Sequence, residues 1–450
     1  MKRLIEHALE AWRADPGRKS LLVRGARQVG KTFAIRQFAR NFAESVEVNF
    51  EKQPALASLF DADLNPRRIL RDLQLATGAH VEPGKTLLFF DEIQAAPRAL
   101  TALRYFHEDL PELHVVAAGS LIEFSVAEVG IPVGRVASLF MHPMSFLEFL
   151  AAKGRAAAVA ELANRAADLP LADAVHAEFL RLVGEYLAVG GMPEAVAEWI
   201  RHGDLRKCVA VQRRLSDTYR QDFAKYSRKA QVKYVELVFN EVPRFLGRKF
   251  IFGRLAGSWR RRDLQPAVDL LVKAGVVKPV MQTAANGLPL GAQADPNRFK
   301  LLFLDIGLAE AMLGFDGSAW ILDPRNAFVN AGELAEAFVG QELLAYASPH
   351  VSPALHYWHR EAAASNAEVD YCVADGPRIV PIEVKRGAGG GLKSMRLFLE
   401  SHDKLSPYGV RFSTHNYSTL GNLTSYPLYA VGSFMANTDP DVRAAMLSLA

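Results

Sequence analysis

Apolar and polar residues follow two different periods along the first 140 positions. Short apolar runs at Ser20–Arg24, Ser45–Asn49, Thr86–Phe90 and His114–Ala118 have the pattern of strands. Between them, apolar residues recur at helical spacing near 31–43, 65–76 and 97–110. This alternation predicts a parallel sheet covered by helices on both faces. From about Pro143 to Phe245 the strand pattern gives way to amphipathic helices broken at Gly190-Gly191-Met192-Pro193. Beyond Arg254 the order is helix (261–274), strand (275–281), a Gly/Pro/Asn loop and strand (299–304). A helix followed by a hairpin suggests a winged-helix module, a pattern that other small α+β units share. Turn residues and weak periodicity over Asp316–Asn330 mark a boundary. From Glu333 the pattern is helix, three β-type runs (355–359, 367–373, 378–386), helix 391–402 and further strands. The chain is thus expected to be α/β with three domains, 1–140, 141–330 and 331–450.

Composition narrows the class. Half of the 450 residues are hydrophobic and 23% are charged, which excludes a disordered or fibrous protein. No apolar run approaches the ~18–20 residues of a membrane span. At the amino terminus, Leu4, Ile5, Ala8, Leu9 and Trp12 fall at helical spacing behind Lys2 and Arg3, without the continuous apolar stretch of a signal peptide. Cys208 and Cys372 are too few for a disulfide framework or a four-cysteine zinc site. A cytoplasmic protein without membrane partners is the expectation. Net charge is +4, but Arg201–Arg262 holds seventeen Lys/Arg against five acids, a local surplus of twelve. A basic block in an otherwise acidic chain fits a polyanionic partner or a solvated, acid-paired helical face.

Gly25-Ala26-Arg27-Gln28-Val29-Gly30-Lys31-Thr32 matches G-x-x-x-x-G-K-[ST] between an apolar strand and a helix, the context that the motif requires. Backbone N–H groups of such a loop turn inward around phosphates, and the helix N-terminus adds partial positive charge. Lys31 is expected to reach the β- and γ-phosphates of ATP, and Thr32 to hold Mg²⁺. Leu87-Leu88-Phe89-Phe90 reads as a buried strand that delivers Asp91 to the Mg²⁺ shell and Glu92 to the attacking water. The alternative, acids that merely cap a turn, loses ground beside a phosphate loop. A small-molecule kinase needs no water-activating glutamate here. The strand Val115–Ala118 ends at Gly119-Ser120, which makes Ser120 a sensor of the γ-phosphate or water. Arg135, in Pro132-Val133-Gly134-Arg135, is the candidate charge-stabilising arginine, in cis or toward a neighbour, or else a surface arginine.

These motifs resemble a prokaryotic family of AAA-type ATPases that carry a C-terminal domain of unknown function, DUF4143. The resemblance extends through Pro143–Leu150, Tyr186-Leu187 with Gly190–Ala195, Tyr219-Arg220-Gln221-Asp222 with Lys225-Tyr226, Phe299-Lys300-Leu301 with Leu304–Leu308, and Pro381-Ile382-Glu383-Val384-Lys385. It implies ATP binding and hydrolysis by an additional-strand, catalytic-glutamate ATPase, a helical and winged-helix-like middle, and a nuclease-like end.

Asp370 and Glu383-Val384-Lys385 have the form of a restriction-endonuclease-like core. With a turn at Asp375-Gly376-Pro377, Asp370 is expected opposite Pro381 and diagonal to Glu383, about 7–8 Å away on one face. Two such carboxylates suit Mg²⁺, and Lys385 beside them suits a charged phosphate. Glu336, on the helix over Glu333–Tyr346, is the expected further acid, with Glu368 a weaker candidate. The alternative is a polar sheet face that carries alternating charges. Two functions fit: an ATP-driven switch on DNA or RNA, its last domain cutting or gripping the strand, or an ATP-dependent regulator of a protein partner whose nuclease-like domain only binds.

Overall fold

Five strands, β1 (Ser20–Arg24), β2 (Glu44–Asn49), β3 (Thr86–Asp91), β4 (His114–Ala118) and β5 (Val136–Phe140), form one all-parallel sheet in the order β2-β3-β4-β1-β5. This is a computed structural model, and it describes every residue except 121, 125–133, 227–228, 256, 258, 316, 331, 362–365 and 386–391, together with all side chains but those of 225–226, 229–230 and 329–330. Pro132, Val133 and, within the basic segment Arg201–Arg262, Arg228 therefore lie outside the described residues. Alternate residues of the central strands enter two separate cores, Leu22, Leu88, Phe90 and Val115 on one face, Leu21, Leu87, Phe89 and Val116 on the other. That is why these strands read as unbroken apolar runs. The half-buried β5 lacks such a run, and sequence reading missed it.

Helices Phe146–Ala152, Asp173–Val189, Pro193–His202, Leu205–Tyr226 and Lys229–Glu241 follow as expected. The expected turn region near 316–330 instead contains the short helices Ser318–Leu322 and Pro324–Asn330, with Trp320 buried.

The second sheet is mixed and has eight strands: β6 (Val277–Thr283), β7 (Ala294–Phe303), β8 (Leu355–Arg360), β9 (Ala367–Asp375), β10 (Arg378–Val384), β11 (Gly409–Ser413), β12 (Ser418–Leu420) and β13 (Leu423–Pro427). Their order is β12-β13-β11-β10-β9-β8-β6-β7. The hairpin β6–β7 does follow a helix, Arg261–Lys273, but β6 pairs in parallel with β8. The hairpin thus belongs to the sheet of the carboxyl-terminal region, and that sheet spans position 330. No helix among the described residues is long and apolar enough to cross a membrane.

Candidate active site

The phosphate loop leaves β1 at Gly25, whose φ is +148° and whose added Cβ would lie 2.2 Å from the Met141 carbonyl oxygen. Only glycine fits there. The buried Lys31 ammonium donates to the Gly25 and Ala26 carbonyls at 2.9 and 2.8 Å, inside the curve of its own loop. Burial pushes the Lys31 pKa down to about 8, against the opposing pull of Glu92 and Asp91. The Thr32 hydroxyl donates to Asp91 Oδ1 at 3.1 Å, and Asn49 Nδ2 donates to Asp91 Oδ2 at 2.9 Å. Burial and the neighbouring Glu92 raise the Asp91 pKa. A threonine hydroxyl beside a carboxylate is a hard-oxygen pair of the kind that Mg²⁺ takes.

The strand that carries Asp91 is not adjacent to β1, because β4 lies between them. Ser120, just beyond β4, thereby falls between the loop and Glu92, with its hydroxyl 3.5 Å from Glu92 Oε2. Gln94 donates to the same oxygen at 2.6 Å. The backbone of Glu92 is left-handed, φ +51°, at the sharp turn after β3.

Three contacts on this loop escaped the sequence reading. The Tyr219 hydroxyl donates to the Arg27 carbonyl, and the Arg27 guanidinium pairs with Asp222. Both partners lie on the helix Leu205–Tyr226, 192 and 195 positions along the chain from Arg27. Arg3 donates to the Val29 carbonyl at 2.7 Å while paired with Glu148 at 2.8 Å. Their signal was the Tyr-Arg-Gln-Asp segment and Arg3, just ahead of the first apolar helix Ile5–Ala14.

Arg135 is a correction. It precedes β5, whose first residue pairs with Ser20 at the amino end of β1, whereas the phosphate loop is at the carboxyl end. The five residues of β1 separate the two ends by about 17 Å. Arg135 pairs with Glu108 at 3.1 Å, so it does not serve this loop in cis.

In the second sheet, β9 and β10 are joined by a two-residue turn, Gly376-Pro377, with Gly376 at φ +56°. This glycine-first turn is tighter than the pivot expected from sequence. Pro381 faces Cys372 and Ile382 faces Tyr371, so the register carries Glu383 to Asp370, rather than Pro381. Glu383 is 4% exposed and pairs with Lys385 through one oxygen, and among the described residues the other oxygen has no hydrogen-bond partner. Burial raises the Glu383 pKa against the opposing effect of Lys385. Asp370 accepts the Val384 N–H at 2.7 Å.

Glu336 feels the charge of Asp370 but is paired with a lysine. Its carboxylate is 2.7 Å from Nζ of Lys300, a β7 residue that also lies 2.6 Å from Glu368. Burial alone would lower the Lys300 pKa, but Glu336, Asp370 and Glu368 outweigh it and hold the ammonium above its ordinary range. Burial pushes the Glu336 pKa up to about 8, against the opposing pull of Lys300. Among the described residues no three acids, histidines or cysteines converge on a metal position, and the expected Glu336/Asp370/Glu383 set does not fit one. Lys300 was legible only as a single charge inside the apolar run Phe299–Phe303.

The basic segment is largely exposed, and much of it is acid-paired. Arg206 pairs with Asp204 at 3.0 Å, Arg220 with Asp217 at 2.7 Å, Arg244 with Glu241 at 3.1 Å and Arg248 with Glu333 at 3.1 Å. Arg260, Arg261 and Arg262 gather at the amino end of the helix Arg261–Lys273.

Residues 17–150 match the family described as an AAA domain (AAA_14). Residues 180–319 and 331–431 match two domains of unknown function, DUF8612 and DUF4143. No curated protein matches the chain. Among solved structures, the chain is similar to the Walker-type ATPase PABY2304 of Pyrococcus abyssi, at 15% identity over 69% of this chain and 94% of that one, with a TM-score of 0.43. It is also similar to the ORC1 protein of Aeropyrum pernix, solved in complex with DNA, at 14% identity over 70% and 93% of the two chains, with a TM-score of 0.26.

Proposed function

We propose that the chain binds ATP with Mg²⁺ and hydrolyses it at the Gly25–Thr32 loop, as an ATP-driven switch. The observation that carries this reading is the set Lys31, Thr32–Asp91–Asn49 and Glu92–Ser120, drawn together at the carboxyl ends of β1, β2, β3 and β4. Loop N–H groups and Lys31 cradle the β- and γ-phosphates, with Lys31 released from its own loop carbonyls. Thr32 and Asp91 would hold Mg²⁺, which when bound neutralises charge on the phosphates. Glu92 orients the attacking water and accepts its proton, while Ser120 and Gln94 fix the carboxylate. Arg135 remains a candidate only toward a neighbouring copy.

The finer reading divides the chain at 1–140, 141–330 and 331–450, with a helical and winged-helix-like middle whose hairpin adds its two strands to the sheet of a restriction-endonuclease-like end, in the cytoplasm. The switch acts on DNA or RNA through the basic segment and the Asp370/Glu383/Lys385 face. One observation favours the second reading, a regulator of a protein partner: Glu336 and Glu368 are already paired with Lys300. Steady-state ATP hydrolysis by the purified chain, with and without added DNA or RNA, tests both. Strong stimulation by nucleic acid supports the first reading, and turnover indifferent to both polymers supports the second. Absence of any turnover removes the hydrolytic assignment.

A further inference from the structure

Arg27 is the one arginine within the phosphate loop itself. Its carbonyl accepts the Tyr219 hydroxyl, and the turn at Gly275 packs on the preceding Ala26, where an added Cβ would come within 3.3 Å of the Ala26 backbone nitrogen. Directly after Arg27 the chain turns through a left-handed residue, Gln28 at φ +65°. The backbone at this position is thus pinned from two sides. The guanidinium is less enclosed, and among the described residues only its Nη1 is hydrogen-bonded, to Asp222. Nη2 and Nε are left to donate elsewhere. Two groups of the hydrolytic site respond to this charge. Burial works against the guanidinium, but Asp222 and, behind it, Glu92 and Glu51 hold it above its ordinary range. Burial depresses the Lys31 pKa to about 8 against Glu92 and Asp91, and Arg27 adds to that depression. Arg27 therefore lies within electrostatic range of both the lysine assigned to the β- and γ-phosphates and the glutamate assigned to the water. On the hydrolytic reading, the transferred phosphoryl group sits between those two side chains. Arg135, at the opposite end of β1, supplies no charge there in cis.

We propose that Arg27 is a catalytic residue, the in-cis arginine that neutralises charge on the γ-phosphoryl group during transfer, with Asp222 aiming its guanidinium through Nη1. As the water oxygen bonds to the γ-phosphorus, Glu92 takes the proton. The bond from that phosphorus to the β–γ bridging oxygen breaks, and its electron pair stays on ADP. Negative charge builds on the oxygens around the phosphorus, and the free edge of a planar guanidinium can donate to two of them at once. The assignment deepens the ATP-hydrolysing reading and rests on it.

Single-turnover hydrolysis of ATP by the full-length protein, with ADP affinity measured alongside, tests the assignment. Arg27→Gln is expected to lower the rate constant by about 10²-fold or more while ADP still binds. Asp222→Asn, which breaks the same pair but keeps the guanidinium, is expected to lose far less in rate. Equal losses in the two variants would overturn the proposal, because the pair would then matter only as a tether between loop and helix. A wild-type rate in Arg27→Gln would overturn it too. Should Arg27→Gln fail to fold, Arg27→Lys decides by the same comparison with Asp222→Asn, since an ammonium cannot reproduce the two-pronged contact. A wild-type chain that turns over no ATP would overturn the hydrolytic reading and this assignment with it, a failure distinct from the other two.

Discussion

Asp222 holds the guanidinium of Arg27, so the phosphate loop is tied through one of its own side chains to the long helix Leu205–Tyr226. The Tyr219 hydroxyl, one turn earlier on that helix, donates to the Arg27 carbonyl. Two residues of one helix thus fix both the backbone and the side chain of a single loop position. The pair is mostly buried, with Asp222 10% exposed and Arg27 27%. Breaking it frees the guanidinium that, together with the Tyr219 contact, holds this loop position in place. Asp222→Asn is expected to weaken ATP binding by roughly fivefold, about 1 kcal/mol, as measured by nucleotide titration. Tyr219→Phe, which keeps the ring, should have a smaller effect in the same direction. Unchanged affinity in both variants would make the helix contact irrelevant to the loop.

Lys31→Ala should abolish nucleotide binding or turnover, because it removes the cation that faces the β- and γ-phosphates. Normal hydrolysis by this variant would sink the phosphate-loop assignment.

Glu92→Gln separates binding from chemistry. ATP affinity should stay close to wild type, since Lys31, Thr32 and Asp91 are untouched, while kcat falls by about 10²–10⁴. Single-turnover kinetics reads this directly, and equal rates would mean that another residue positions the water.

Replacing Arg260, Arg261 and Arg262 with Gln tests the basic segment. If these residues neutralise phosphates, the log–log salt dependence of duplex DNA binding should flatten by about 0.9 for each phosphate no longer neutralised. A slope unchanged from wild type would return them to a solvated helix end.

The stabilising contribution of one buried carboxyl group, Glu342, should fall as pH rises across the neutral range. Burial pushes the Glu342 pKa up to about 8, even though its oxygens accept the Phe146 N–H. The native state therefore keeps a proton that the unfolded chain releases above its ordinary value of 4.5. That contribution is complete below about 4.5 and is lost as pH climbs to about 8. Glu310, also raised to about 8 by burial, acts in the same window. Glu342→Gln should show a smaller drop in Tm between the two ends of that window than wild type, by a few degrees at roughly 1.4 kcal/mol per pKa unit. Parallel melting profiles would mean that Glu342 is ionised in the fold.

Sequence by itself determined what depends on near neighbours. The strands β1, β3 and β4 were legible because two-sided burial demands continuous apolar runs. The phosphate loop was legible because its glycines, lysine and threonine act through the local backbone, and Asp91-Glu92 because a strand end delivers them. The half-buried β5 has no such run, and its partner β1 lies more than a hundred residues earlier in the chain. Tertiary structure alone decided the rest. The insertion of β4 between β1 and β3 sets Ser120 beside Glu92, and strand order is a long-range choice that no window of sequence encodes. The two-residue turn moved Glu383 opposite Asp370, a shift of two positions along β10 that preserves the face but changes the neighbour. Lys300 met Glu336 and Glu368 because β6 pairs with β8, bringing together charges 36 and 68 positions apart. Periodicity predicts which face a residue occupies; only the register and order of strands decide which charge it meets there.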